Sequence, residues 1–399
     1  MNECMKRLRG NTDDRIYFEA QIRKKKAKVV DIFWERFPGL IARNTAMKHL
    51  YCGFASDASY SRLGIIAITE ALRENTSLKS LALGSCLIGI DEANAIVEAI
   101  AGNSCVTELD LGGNKITRGA LSRIMRALQD NTSLQTLKLH CNAIGDEGVY
   151  SNTLAVAVAI EISDALQLNS SLTTLNLSRN VIGNEGAIAI AEALKVNSTL
   201  TSLNLSKTSI GYEAALEIGE VLKVNSSLSS LNLSFNEAIQ GASPIVEALN
   251  VNSTLRKLNL NSCMVGDREA STIAILLKEK STLTSLKLMS NNITKEGASA
   301  IAEALNVNSS LILLNLSNNF IGNEGLLAIA KMLKENSSLS NLLLRVQFQV
   351  CKRCFTGLNR FQIPGINNQR FFTHLLTLLI CEEGAQVLAN EFRMKFSVV

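Results

Sequence analysis

The stretch LTTLNLSRNVIGNEGAIAIAEALKVN, residues 172–197, decides how this chain folds. It opens on Leu172, Leu175 and Leu177, and the two-residue step of its last leucines puts them on one side of a short strand. Asn180, Ile182 and Gly183 make a turn. Ala187, Ile190, Ala191 and Leu194 then share one face of a helix. The phrase recurs nine times between Leu78 and Leu339, nearly always at a 28-residue step. A fixed period of this length marks a solenoid, whose units bury their apolar sides against one another.

Strands stack about 4.8 Å apart, whereas packed helices need about 8–10 Å. The fold predicted is therefore an α/β solenoid, a right-handed horseshoe with parallel strands on its concave face and helices on its convex face. The asparagine after each L-x-L is expected to be buried, its amide bonding backbone groups between turns. Cys86 and Cys263 stand at this position as small buried substitutes. The Asn-Ser-Ser or Asn-Ser-Thr after each helix is expected to end it, the asparagine adopting a left-handed cap. The N-x-[ST] sequons at Asn197 and Asn225 are then turn chemistry, not sites of glycosylation.

These residues resemble the ribonuclease-inhibitor type of leucine-rich repeat. That type occurs in ribonuclease inhibitor, in the C-terminal arrays of NACHT-containing immune receptors and in Ran GTPase-activating proteins. The resemblance spans about three-quarters of the chain and implies the horseshoe; its members share a scaffold and not a task. It suggests a regulator of a small GTPase such as Ran as an alternative function, to be tested by GTP hydrolysis. The long acidic tail of the Ran activators is missing here.

Breaks in the repeat set the expected domains: a helical cap over 1–46, the solenoid over 47–344, an irregular basic insertion over 345–379, and a remnant repeat or cap over 380–399. Residues 1–46 carry eleven basic against six acidic residues, and 345–381 carry five against none. The solenoid carries 22 against 27, so its wall lacks the basic stripe of a nucleic-acid surface. Val30, Trp34 and Phe37 fit a helix closing the open end of the core, beside a basic run, Arg23 to Lys28, read as a solvated face. The unit beginning at Leu134 is 38 residues long, and its extra residues predict a loop bulging at Ser151–Thr153. The unit beginning at Leu228 is one residue short, with Pro244 near its helix start. The composition of 345–379 changes abruptly, reading as an inserted element or, preferably, an unspliced stretch.

Catalysis has no candidate. His49, His140 and His374 lie in different units and form no nucleophile or acid–base arrangement. G-x-x-x-x-G-K-[ST] does not occur. One C-x-x-C, Cys351 to Cys354, with distant His374 and Cys381, falls short of a zinc site, so no metal or other cofactor is expected. The N-terminus lacks an apolar leader, Phe371 to Ile380 is too short to span a bilayer, and the scattered cysteines suit a reducing compartment. The reading is a cytoplasmic, non-catalytic scaffold with a protein partner, no small-molecule substrate, no nucleic acid on the solenoid and no membrane. A degenerate array without a function of its own is the remaining alternative. Most concave positions are Asn, Ser or Thr. Glu108, Asp110, Lys138 and His140 interrupt that monotony, and the partner site is placed there, extending to Arg179, Lys207 and Phe235.

Overall fold

In the computed structural model, residues 14–19, 36–53, 58–142, 144–145, 152–280 and 282–344 are described. The chain divides into two compact units, Met1–Ser209 and Ile210–Val399.

Among the described residues the first unit holds seven strands: β1 (Arg15–Glu19), β2 (His49–Gly53), β3 (Ser80–Ala82), β4 (Glu108–Asp110), β5 (Thr136–Lys138), β6 (Thr174–Asn176) and β7 (Ser202–Asn204). Each pairs in parallel with the next in chain order. Between them run α1 (Ala58–Leu72), α2 (Ile90–Ala101), α3 (Arg118–Asp130), α4 (Asn152–Leu168) and α5 (Gly183–Leu194). In the second unit β8 (Ser230–Asn232), β9 (Lys257–Asn259), β10 (Ser285–Lys287), β11 (Leu313–Asn315) and β12 (Asn341–Leu343) pair in the same way. Their helices are α6 (Tyr212–Leu222), α7 (Ser243–Ala248), α8 (Asp267–Lys280), α9 (Lys295–Leu305) and α10 (Gly322–Glu335). The α/β solenoid expected from the 28-residue period is what forms.

The core is the repeated phrase. Leu172, Leu175 and Leu177 from the strand, with Ala187, Ile190, Ala191 and Leu194 from the helix, are all buried. In β4 to β7 only the middle residue is fully enclosed, in an intermediate–buried–intermediate pattern. The flanking residues of these strands face outward, and they make the candidate surface.

Two rows of asparagines join the turns. In the first, Asn114 donates to the carbonyls of Leu111 and Leu83, each at 2.8 Å, and accepts from the backbone N–H of Cys86 at 2.7 Å and Ile88 at 3.2 Å. Asn180 repeats the pattern, donating to Leu139 and Leu177 and accepting from Asn142. Cys86 and Cys263 replace the amide with a buried thiol 3.3 Å from the carbonyls of Cys52 and Leu233 respectively.

The second row corrects an expectation. The asparagines after the helices are not left-handed: Asn131 has φ −80°, ψ 122° and Asn336 φ −79°, ψ 122°. Extended backbone lets Asn336 accept from the N–H groups of Ser338 and Leu339 while its amide donates to the carbonyls of Leu305 and Asn308. The side chain thus closes a turn in its own unit and satisfies carbonyls left open where the preceding helix ends. The left-handed residue is instead the one just before the first row: Ser85, Gly113, Cys141, Arg179 and Lys207 in the first unit, and Phe235, Ser262, Ser290 and Asn318 in the second.

Three departures from the regular repeat bear on the other expectations. The N-terminal segment expected as a helical cap contributes a strand as well: β1 pairs with β2 along five residues, and Ile16 is buried. Its Ile-Tyr-Phe run is rich in strand-favouring residues. Residues 36–42 are helical, with Phe37 and Ile41 buried one turn apart; Val30 and Trp34 lie outside the described residues. In the long unit, Asn152 and Thr153 belong to α4 rather than to a bulging loop, because Asn and Thr suit a helix start and part of the insertion lengthens the helix to 17 residues. Residues 146–151 are outside the description. In the short unit a 3-10 turn, Glu237–Ile239, leads through Gln240, Gly241 and Ala242, all at positive φ, into α7 with Pro244 in its first turn. The proposed segments 345–379 and 380–399, with Cys351, Cys354, His374 and Cys381, lie outside the described residues.

Candidate functional site

Residues β4 and β5 carry the centre of the site. Leu109 and Leu137 point into the core, so Glu108, Asp110, Thr136 and Lys138 point out, with Asp110 in register with Lys138. Lys138 Nζ donates to Glu108 Oε1 at 2.6 Å and lies 3.9 Å from Asp110 Oδ2. His140 Nδ1 lies 3.9 Å from Asp110 Oδ1, which itself accepts from the Gly112 N–H at 2.9 Å. Four of the residues expected at the site therefore converge on β4, β5 and the segment just after β5.

The hydrogen bond from Lys138 holds the Glu108 carboxyl below its ordinary range, against burial, with help from Lys138's charge and from the Ser80 hydroxyl. Burial pulls Lys138 down, but the bond and charge of Glu108 and the charge of Asp110 outweigh it, and its pKa is raised. Both side chains stay about one-third exposed. The ion pair is set into the face without being withdrawn from water.

Gly112 explains where the His140 ring sits. A Cβ at 112 would fall 2.1 Å from the imidazole Cε1, so the ring occupies space that only glycine leaves open. Seated there, His140 Nδ1 is buried and makes no hydrogen bond; the same holds for His49 Nδ1 on β2.

His49 and Tyr51 also belong to this surface and were missed in the sequence, as was the buried Ser80 beside Glu108. His49, Ser80 and Glu108 are in register across β2, β3 and β4, as are Tyr51, Ala82 and Asp110. The solenoid expected over 47–344 already includes this unit, Met47-Lys-His-Leu-Tyr-Cys52, but its outward positions were not carried into the candidate site.

Arg179 and Lys207 occupy a different register. Each stands at the left-handed corner of its unit, at φ 58° and 54°, exposed, in the row that Ser85 begins. The Arg179 N–H donates to the Ser206 carbonyl of the next turn at 2.9 Å. Phe235 holds the same corner position at φ 61°, half-exposed, but in the second unit. The seven residues thus split into a charged cluster of four, a corner pair and one aromatic in the other unit.

Among the described residues, no group of three or more His, Cys, Asp or Glu side chains could hold a metal ion. No helix among them is long and apolar enough to cross a membrane. Their cysteines Cys52, Cys86, Cys105, Cys141 and Cys263 are free thiols.

Comparison with known proteins matches a leucine-rich repeat family model at residues 102–125, 130–151, 168–191, 196–219, 224–242, 251–274, 279–302 and 307–330. No curated protein matches the chain. Solved structures similar to it include actin-binding site 2 of leiomodin-1, 23% identical, covering 42% of this chain and 89% of that one at a TM-score of 0.33. The C-terminal domain of tropomodulin from Caenorhabditis elegans is 20% identical, covering 42% and 92% at a TM-score of 0.33. The complex of Rad7 and Elc1 from yeast is 14% identical, covering 82% and 88% at a TM-score of 0.46. Repeat length, buried leucines, parallel ladder and family match agree, and the chain is a leucine-rich repeat protein.

Proposed function

We propose that this protein is a non-catalytic cytoplasmic scaffold that binds a partner protein on the outward face of its strands, centred on Glu108, Asp110, Lys138 and His140. The observation that carries this reading is the convergence of those four side chains, 2.6–3.9 Å apart, ahead of the strands β6 and β7, which offer only Thr174, Asn176, Ser202 and Asn204. Leucine-rich repeats serve as protein-interaction scaffolds, which supports the general assignment. The cluster offers paired, partly exposed charge of both signs. Such groups steer encounter and fix register more than they add affinity.

The experiment is affinity capture with the full chain and with an Asp110→Lys, Lys138→Glu variant, both confirmed as folded by circular dichroism. The reversed charges should lose the bound protein. Recovery of the same proteins by both would defeat this placement of the site.

A further inference from the structure

In the second unit the charges separate by face. Every acidic residue between 210 and 344 lies in a helix or in the 3-10 turn: Glu213, Glu217 and Glu220 on α6, Glu237 in the turn, Glu247 on α7, and the rest on α8, α9 and α10. The strands β8 to β12 hold no acid at all, yet they carry Lys257 and Lys287, and Arg256 immediately precedes β9. Among the described residues none of these three cations is in an ion pair. This differs from the first unit, where Lys138 is already claimed by Glu108.

The two lysines share a face. Lys257 flanks the buried Leu258 and Lys287 flanks the buried Leu286. Lys257 is in register with Ser285, so Lys287 is its diagonal neighbour on the adjoining strand, about 7–8 Å away. Asn232 and Asn259 complete the row that leads to Lys287. Each turns its Oδ1 inward to accept a backbone N–H, from Ser234 at 3.0 Å and Asn261 at 3.1 Å. That bond fixes the amide orientation, since only oxygen can accept, and leaves the NH2 group facing outward as a donor. Phe235, half-exposed at the corner of the same unit, adds an apolar contact.

We infer that the strand face of the second unit binds an extended acidic peptide segment of a partner protein, with carboxylates on Lys257 and Lys287, backbone or side-chain oxygens on Asn232 and Asn259, and an apolar residue near Phe235. The face supplies donors and positive charge with no acid to neutralise them, so its complement is a chain of acceptors. In an extended peptide, side chains two residues apart stand about 7 Å apart on one side, which matches the diagonal between the lysines. A single-stranded nucleic acid is also an acceptor chain, but it would use a longer basic track with several stacking aromatics. This surface shares no residue with the cluster around Asp110, so its test stands or falls independently of capture there.

The test is fluorescence anisotropy with the full chain and a labelled peptide alternating Glu and Leu, at low salt, beside the matching Gln–Leu peptide and a labelled oligouridylate. The wild type should bind the Glu peptide most tightly, and added salt should weaken it. Lys257→Glu with Lys287→Glu should weaken that binding on the order of tenfold or more, while gaining affinity for a Lys–Leu peptide, which shows that the variant is folded. Arg268→Glu with Lys331→Glu, an equal charge change on α8 and α10, should leave binding unchanged. Equal binding of the Gln peptide, equal loss in both variants, or tighter binding of the oligouridylate would overturn the inference.

Discussion

Replacing Asn114 by alanine tests whether the inter-turn amides hold the solenoid together. Asn114 donates to Leu83 and Leu111 at 2.8 Å and accepts from Cys86 and Ile88 at 2.7 and 3.2 Å, besides a longer contact to the Gly112 carbonyl. Four well-formed bonds at about 1 kcal/mol net each give about 4 kcal/mol. An orphaned buried N–H costs about 1–3 kcal/mol, so the loss at Cys86 and Ile88, both enclosed, supports the same figure from the other side. About 4 kcal/mol is roughly a thousandfold in the folding equilibrium. Urea unfolding of the full chain, followed by far-ultraviolet circular dichroism, reads it. Asn114→Cys, which copies what Cys86 and Cys263 do naturally, should recover part of the loss through its thiol donor. Asn114→Asp keeps the acceptors but turns a carboxylate oxygen on two carbonyls, and should be at least as damaging as alanine. A loss under about 1 kcal/mol for Asn114→Ala, or an aspartate variant as stable as the parent, would refute the account.

Other perturbations read other parts of the molecule. Gly112→Ala should eject the His140 ring from its seat, seen as a changed imidazole proton shift, at a cost of about 1–3 kcal/mol if the ring cannot move; an unmoved signal with unchanged stability would contradict the packing. The Glu108 carboxyl is held below its ordinary 4.5, so the stabilisation it brings is present above that value and is lost as pH falls through the lowered pKa. Lys138 is raised above 10.5, so its share is complete below that value and is lost as pH rises through the raised one. With both groups about one-third exposed, Glu108→Gln should remove only about 0.2–1 kcal/mol, and a larger acid-side effect would place the bond in a drier setting. Burial pushes the Cys263 thiol up to about 12. Iodoacetamide at mild alkaline pH should therefore modify exposed Cys141 and spare Cys263 until the chain is unfolded, as mass spectrometry of the peptides would show.

Much of the fold is legible in the 28-residue period because one residue type serves one geometric role. Leu175 must point inward wherever the strand repeats, and Ala191 must face it, so period alone recovers the core. Where two backbone states can satisfy the same residue, pattern is not enough. Asparagine is common in left-handed caps, yet Asn131 and Asn336 are extended, because that geometry lets one side chain serve its own turn and the preceding helix end together. The strand β1 was hidden for a different reason: it has no copy of the repeated phrase, only Ile16, Tyr17 and Phe18 between charged neighbours.

The candidate site was legible to the extent that it follows strand phase. Glu108, Asp110, Lys138 and His140 were found because they replace Asn, Ser or Gly at outward positions. Arg179 and Lys207 were placed beside them although they belong to the corner row, since a sequence written in one line does not separate a strand position from a turn position two residues later. The uniform asparagines were read as generically solvated, and the peptide-binding face proposed above gives them a role. A side chain whose oxygen is committed to its own backbone is half-satisfied, and it turns a donor outward. At Asn232 and Asn259, repetition of that arrangement gives the face a consistent polarity, and Lys257 and Lys287 add charge of the sign that extends it. Monotony in a repeat can therefore be a surface property in its own right: one donor per turn, at the pitch of the strands.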